Sequence, residues 1–107
     1  DRMIPTGDAE DVTPFSGPMA DLTWDDAYDR LEQPPRFELR GGGRAIALEF
    51  VDGYSVAQVF SPPGGAFICF EPMTAPANAL HLPPGSLEEV QPGGERSATF
   101  RISVYGA

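Results

Sequence analysis

A carboxylate stands at the end of an apolar stretch in the second half of the chain. Glu71 directly follows Phe67–Phe70 and precedes Pro72. If the stretch is a strand, alternation places the Glu71 side chain on the same face as Phe67 and Cys69. Apolar neighbours desolvate a carboxylate and raise its pKa, which suits a general base that works near neutral pH. The alternative is a strand-end glutamate that simply reaches solvent.

Other residues with reactive or hydrogen-bonding side chains are scattered along the chain. His81, the only histidine, could act as an acid or base, or could be an ordinary histidine of its Pro-rich loop. Asp25 and Asp26 are adjacent, so their side chains point apart; one of them could bind a ligand hydroxyl, or both could belong to a solvated acidic turn. Cys69 lies in the apolar stretch and is expected to be inert. One Cys and one His cannot build a zinc site, so we expect no metal and no cofactor.

The charge of the chain excludes two classes of partner. The 107 residues include 16 acidic residues against seven Arg and no Lys, which gives a formal net charge of -9. Nucleic acids and anionic membranes both require a basic surface, so neither is an expected partner. No apolar run approaches the roughly 20 residues of a membrane span. The lack of a recognisable signal and the unpaired Cys69 lead us to expect a cytoplasmic protein.

The length fits one domain, residues 1–107, in two regions of different character. Residues 1–33 are predicted to be an acidic, loop-rich lead-in, because their nine acidic residues and two Arg carry -7 of the net charge. Within this lead-in, four apolar residues fall at helical spacing: Trp24, Ala27, Tyr28 and Leu31. Thr23 precedes them as a candidate N-cap, so a short helical turn is predicted there.

Residues 34–107 predict antiparallel β-structure. Apolar and polar residues alternate in short segments that Gly and Pro separate, as in hairpin-linked strands. We expect five strands in one sheet, at 36–40, 46–50, 54–61, 67–70 and 97–105. The expected turns are Gly41-Gly42-Gly43, Asp52-Gly53 and Pro62-Pro63-Gly64-Gly65. The long Pro-rich segment 74–96 is predicted to be a loop, and loops of that length are often functional.

Both faces of this predicted sheet contain apolar side chains. The stretch Phe67–Phe70 is continuously apolar, as in a strand that is buried on both faces. In the last strand, Ala98, Phe100, Ile102 and Val104 are predicted to face inward. A sheet that is buried on both sides needs a second layer. We therefore expect an antiparallel β-sandwich whose second sheet comes from residues outside this chain or from another chain.

A family resemblance extends over nearly the whole chain. The stretch from Phe67 to Leu80 resembles the signature near the C-terminus of aldose 1-epimerases (mutarotases). Weaker matches occur in the order of that family at Ile4–Gly7, Trp24–Tyr28, Tyr54–Pro62, and Leu87 with Val90–Gly93. The resemblance implies that this chain is the C-terminal portion of such an enzyme. It also implies a fold, which is part of a galactose-mutarotase-type β-supersandwich.

The same resemblance implies a reaction, the interconversion of the α and β anomers of a free aldose such as glucose or galactose. In the family a glutamate takes the proton from the anomeric hydroxyl while a histidine protonates the ring oxygen. Glu71 matches the general base, and Asp25 matches a sugar-binding aspartate. The acid histidine and a sugar-binding arginine of the family lie upstream of the matched region, and His81 does not match that histidine. The implied partners are therefore an aldose and the N-terminal portion of the same enzyme.

Two other functions stay open at the level of the sequence. The chain could be a non-catalytic carbohydrate-binding or structural β-domain, in which Trp24, Tyr28 and Phe70 could stack on sugar rings. It could also belong to an epimerase of hexose phosphates. A phosphate favours several Arg or Lys residues, so the acidic excess favours a neutral aldose.

Overall fold

The computed structural model describes residues 15–19 and 22–106, and these form two antiparallel three-stranded sheets. The strands are β1 (Trp24–Tyr28), β2 (Arg36–Gly41), β3 (Arg44–Asp52), β4 (Val56–Ser61), β5 (Cys69–Met73) and β6 (Thr99–Gly106). One sheet has the order β1-β4-β5 and the other β2-β3-β6. The matched segment Ile4–Gly7 lies outside the described residues. The predicted antiparallel all-β class is confirmed, whereas the predicted single sheet is wrong.

The β2–β3 hairpin is formed as predicted. Gly41 pairs with Arg44, which leaves Gly42 and Gly43 as a two-residue turn. Their φ angles are 58° and 76°, and a type I′ turn requires positive φ at both of its central residues. Two adjacent glycines adopt this conformation without a steric penalty, so the local sequence determines this turn.

The predicted hairpin at Asp52-Gly53 is wrong, because β3 and β4 belong to different sheets. Gly53 has the positive φ, 87°, that the sequence suggests, but the chain there crosses from one sheet to the other. The second edge of β3 pairs with β6, and the residues just before β6 pass against the crossover. A Cβ on Gly53 would lie 2.8 Å from Ala98 Cβ and 2.9 Å from the Ser97 carbonyl oxygen. Arg96 Nη2 also donates a hydrogen bond of 2.6 Å to the Gly53 carbonyl oxygen.

The two sheets contact each other through an aromatic core. Leu48 and Phe50 of β3 and Ala57 of β4 are buried in one cluster. The Phe37 ring of β2 stacks on the Phe70 ring of β5 at a centroid distance of 5.2 Å, which joins the two sheets directly. Leu31 and Tyr54 pack against the same cluster. The chain therefore supplies a second layer of its own, contrary to the expectation that it comes only from elsewhere.

Two local predictions for the first half of the chain are corrected by the pairing of β1. Residues Trp24–Tyr28 form a strand that pairs with β4, and the predicted helical turn is absent from this segment. Alternation along the strand places Trp24 and Tyr28 on the same side as Ala57 of β4, where both are half-buried. Tertiary pairing thus overrides the helical spacing. The lead-in, predicted to be mainly loop, contains one strand of the sheet.

The burial predicted for two other strands is also corrected. Phe67 precedes β5 and is exposed, while Cys69 and Phe70 are only partly buried, so this stretch is not covered on both faces. Phe100, Ile102 and Val104 of β6 share the face of the buried Leu48 and Phe50, as predicted, but they are exposed. The reason is the extent of the core, which covers the apolar face of the β2-β3-β6 sheet around Phe37, Leu48 and Phe50 and leaves the β6 side open.

A polar cluster lies on the face of the β2-β3-β6 sheet that points away from the core. Arg36 Nη1 and Arg40 Nε donate to the Glu38 carboxylate at 3.0 and 2.8 Å, and the Tyr105 hydroxyl of β6 donates to it as well. These long side chains meet above β3 because the residues beneath them are Ala45 and Ala47, both fully buried. The cluster therefore links the two outer strands of the sheet across the middle one.

No helix among residues 15–19 and 22–106 is both long and apolar enough to cross a membrane. The described helix is one 3-10 turn, Ala79–His81. It lies in the long segment between β5 and β6.

Replacing Gly53 should be costlier than replacing Gly42. Gly42→Ala places a Cβ in open space, so we expect only the strain of a left-handed residue, about 1–2 kcal/mol. Gly53→Ala adds a clash with backbone, which we expect to cost about 1–3 kcal/mol more. The free energy of unfolding in urea measures both. Equal losses for the two variants would show that the close approach to residues 97–98 does not constrain the fold.

Glu38→Gln should destabilise the protein at neutral pH and much less in acid. Hydrogen bonding from Tyr105, followed by Arg40 and Arg36, lowers the pKa of Glu38 below its ordinary value of 4.5. A lowered carboxylate pKa stabilises the folded state above pH 4.5, and this stabilisation is lost as the pH falls through the lowered value. The thermal midpoints of wild type and variant should therefore converge below that pH. Glu89→Gln, at an exposed loop carboxylate, is the control and should show no such convergence.

Candidate functional site

The two carboxylates predicted to bind or act on a ligand lie on one face of the β1-β4-β5 sheet. Directly paired residues of antiparallel strands project to the same side. Asp25 pairs with Phe60, which pairs with Cys69, while Gln58 in the middle strand pairs with Glu71. The common face is named the carboxylate face here, and its residues are Asp25, Ala27, Val56, Gln58, Phe60, Cys69, Glu71 and Met73.

The carboxylate face is turned away from the core. The alternate residues of the same strands, including Ala57 and Phe70, point to the other side and pack against the β2-β3-β6 sheet. Asp26 also projects to that other side, so the prediction that Asp25 and Asp26 point apart is confirmed. Burial, followed by the neighbouring Asp26 carboxylate, raises the pKa of Tyr28 on that side.

Gln58 lies on the strand between the two predicted residues. Its Nε2 donates a hydrogen bond of 2.9 Å to Asp25 Oδ1, and its own residue position lies opposite Glu71 on the next strand. The bond orients the Asp25 carboxylate and leaves Oδ2 free to accept from a ligand hydroxyl. Sequence reasoning did not select Gln58 as a site residue. The available signal was its position as a polar residue between the apolar Ala57 and Val59 in the middle of the strand.

Asp25 and Glu71 are too far apart to share a proton. They are separated by two strand spacings, about 10 Å, and by two residues along the strands, about 7 Å, so their Cα atoms lie roughly 12 Å apart. Side chains of this length can converge on opposite sides of one small ligand seated above Gln58. The arrangement therefore fits two independent contacts to one molecule.

Glu71 is exposed, and so is Asp25. The expected desolvation of Glu71 by apolar neighbours is not found among the described residues. The physical reason is that β5 is an edge strand and its Glu71 side projects outward, away from the core. Cys69 does share that face with Glu71, as alternation predicted, and is itself only partly buried.

Aromatic side chains border the carboxylate face at one end. Phe60 lies on the face and contacts Phe67 at a ring centroid distance of 6.1 Å, and Phe67 is exposed. Such rings can pack against the C–H surface of a sugar. The aromatic residues suggested from the sequence, Trp24, Tyr28 and Phe70, alternate to the other side of the sheet and serve packing instead.

His81 lies in the long segment between β5 and β6. It is exposed in the 3-10 turn and lines an open cavity of about 650 Å³ together with side chains of segment 72–87, among them Met73, Thr74 and Asn78, and with Tyr54. None of Asp25, Gln58 and Glu71 lines this cavity. The Pro-rich segment thus shapes a cavity whose lining includes Met73 of β5 but not Glu71.

Within residues 15–19 and 22–106, no group of three His, Cys, Asp or Glu side chains is arranged to hold a metal ion. Comparison with family models, with curated proteins and with solved structures gives no match for this chain.

Proposed function

We propose that the carboxylate face binds a free aldose and that Glu71 is the general base of an aldose 1-epimerase. The observation that carries the proposal is the gathering of Asp25, Gln58 and Glu71 on one face of one sheet. Two of these three residues were selected from the sequence alone, on different strands. Carboxylate and amide oxygens are strong acceptors for the hydroxyl groups that cover an aldose.

Each residue of the face has a distinct task in this reaction. Glu71 accepts the proton of the anomeric hydroxyl while a separate acid protonates the ring oxygen, so the C–O bond of the ring breaks and an open-chain aldehyde forms. Rotation about the bond to the aldehyde carbon and reclosure with the proton transfers reversed gives the other anomer. Asp25, oriented by Gln58, accepts hydrogen bonds from ring hydroxyls and holds the sugar over the base.

The exposure of Glu71 is consistent with a site that is completed by further residues. In the proposed enzyme, the two sheets belong to a galactose-mutarotase-type β-supersandwich, and an N-terminal portion supplies the acid histidine and covers the face. That cover would desolvate Glu71 and raise its basicity. A cytoplasmic location belongs to the same proposal and is supported by the free thiol of Cys69.

The charge of the face favours a neutral sugar over a sugar phosphate. None of the residues of β1, β4 and β5 is basic. A phosphate between Asp25 and Glu71 would meet two carboxylates without a compensating Arg or Lys. The acceptor-rich face is suited to hydroxyl groups alone.

A non-catalytic carbohydrate-binding domain is the second candidate function. The observation that favours it is that Glu71 does not line the cavity that His81 lines, because acid–base ring opening needs a base and an acid at one site. The binding contacts of Asp25 and Gln58 would be the same in this case. Only the dependence of the reaction rate on Glu71 distinguishes the two functions.

Asp25→Ala should weaken aldose binding by at least about tenfold, because a charge-assisted hydrogen bond is lost. Titration of the isotope-labelled chain with glucose or galactose, followed by amide NMR shifts, measures this. Asp26→Ala is the matched control, since it removes the same charge one residue away on the other side of the sheet. The wild type should show shifts along β1, β4 and β5. Equal losses in both variants, or no shifts in the wild type, would contradict the proposed binding face.

Glu71→Gln should reduce the rate of mutarotation by about 10²–10⁴ while aldose binding is retained, because the base is lost and a hydrogen-bonding group of the same shape stays. Polarimetry of fresh α-glucose or α-galactose measures the rate. The enzyme used is this chain joined to the portion that supplies the acid, and Glu89→Gln is the control for the change of charge. Retained binding with an unchanged rate would eliminate Glu71 as the base and leave the non-catalytic domain.

A further inference from the structure

The two sheets of the described residues have four edges, and one of these edges lacks the protecting residues of the other three. The edge strand β1 contains Asp25 and Asp26, β5 contains Glu71 and Pro72, and β2 alternates Arg and Glu. Charges and Pro on an edge prevent the addition of a further strand. These three strands have five, five and six residues. The fourth edge, β6, has eight residues and a single charged side chain, Arg101.

The same strand carries the largest group of neighbouring exposed apolar side chains in the described sheets. Phe100, Ile102 and Val104 of β6 are 46, 61 and 64% exposed, and Ile46 beside them on β3 is 47% exposed. Paired positions place all four on one face. They are named the β6 patch here. A long edge strand with an open apolar face is a template for another β-strand.

Charge indicates which strand is suited to that edge. Two copies of a chain with a net charge of -9 repel each other wherever carboxylates meet. β6 contains no carboxylate, and the nearby Glu49 faces Arg101 at 3.8 Å. Of the four edges, β6 and its surroundings therefore allow the closest approach of a second acidic copy.

The residue pattern of β6 is also compatible with pairing to itself. An antiparallel pair centred on Ile102 sets Phe100 of one copy opposite Val104 of the other and Ile102 opposite its equivalent. On the other face Arg101 meets Ser103 rather than a second Arg101. Apolar cross-strand pairs of this kind are favourable, whereas like charges directly opposite are not. A two-fold axis through Ile102 closes the assembly at two copies.

We propose that two copies of this chain associate through antiparallel β6–β6 pairing, which forms a continuous six-stranded sheet in the order β2-β3-β6-β6-β3-β2. The new contacts are main-chain hydrogen bonds along both β6 edges and lateral packing of the two β6 patches. The carboxylate face lies on the other sheet and stays open. The proposal is therefore independent of the proposed function, and aldose binding can succeed or fail without affecting it.

The mass in solution tests the pairing. Sedimentation equilibrium of the 107-residue chain over micromolar to millimolar concentration should show a reversible change from 11.5 kDa to twice that mass. Ile102→Lys sets two ammonium groups opposite each other at the axis and should raise the dissociation constant at least about tenfold. Val90→Lys adds the same charge at another exposed apolar residue and should leave the dimer unchanged. Circular dichroism checks that both variants fold.

Hydrogen exchange of the wild type gives a second readout that does not depend on a variant. The β6 amides that do not bond to β3 should exchange more slowly at high than at low protein concentration, while those of the β1 edge should not change. A monomer at all concentrations would overturn the proposal. A dimer that is insensitive to Ile102→Lys, or that protects an edge other than β6, would overturn it as well.

Discussion

The fold depends on the crossover at Gly53. There the chain leaves one sheet and enters the other while Ser97 and Ala98 pass within about 3 Å of where a side chain would begin. Only glycine satisfies both the positive φ and the close approach. Because β3 ends in this crossover, its second edge is free for β6, and β4 is free to pair with β1 and β5. The division into two sheets follows from this one position.

The division gives the β1-β4-β5 sheet two distinct faces. One face supplies Ala57 and Phe70 to the core and is held by the stacking of Phe37 on Phe70. The other face contains the polar residues Asp25, Gln58 and Glu71, to which the proposed function assigns the ligand. Because side chains alternate along a strand, the core contact on one face fixes the orientation of the three side chains proposed to bind a ligand on the other. A one-residue slip of β5 against β4 would turn Glu71 into the core and Phe70 into solvent.

Short-range sequence patterns predicted the features that neighbouring residues determine, which are a tight turn and most of the strands. Paired glycines determine the β2–β3 turn, and period-two alternation identified most strands. The Asp52-Gly53 pair predicted a hairpin because the positive φ of its glycine serves a hairpin and a crossover equally well. The choice between them is made by residues 97–98, which are more than 40 positions away. No local pattern contains that information.

The same limit applies to the candidate site. Asp25 and Glu71 were selected by resemblance and by chemistry, and strand pairing puts them on one face. Gln58 was missed because its role depends on the register of three strands rather than on its neighbours in the chain. The predicted desolvation of Glu71 followed from apolar residues around it in sequence. One side of an edge strand in a two-layer fold faces solvent, so the residues next to Glu71 in the sequence do not shield its carboxylate from water.

The open surfaces of the molecule follow from the mismatch between its two sheets. The core occupies the apolar face of the β2-β3-β6 sheet around Phe50 and stops before β6, since the facing sheet has only three short strands. Apolar side chains beyond that limit stay exposed, and they lie on the strand with the fewest charges. β6 contains no carboxylate, so charge repulsion between two copies of this acidic chain is weakest at the edge that the core leaves uncovered. The proposed ligand contacts and the proposed contacts between chains therefore lie on different sheets.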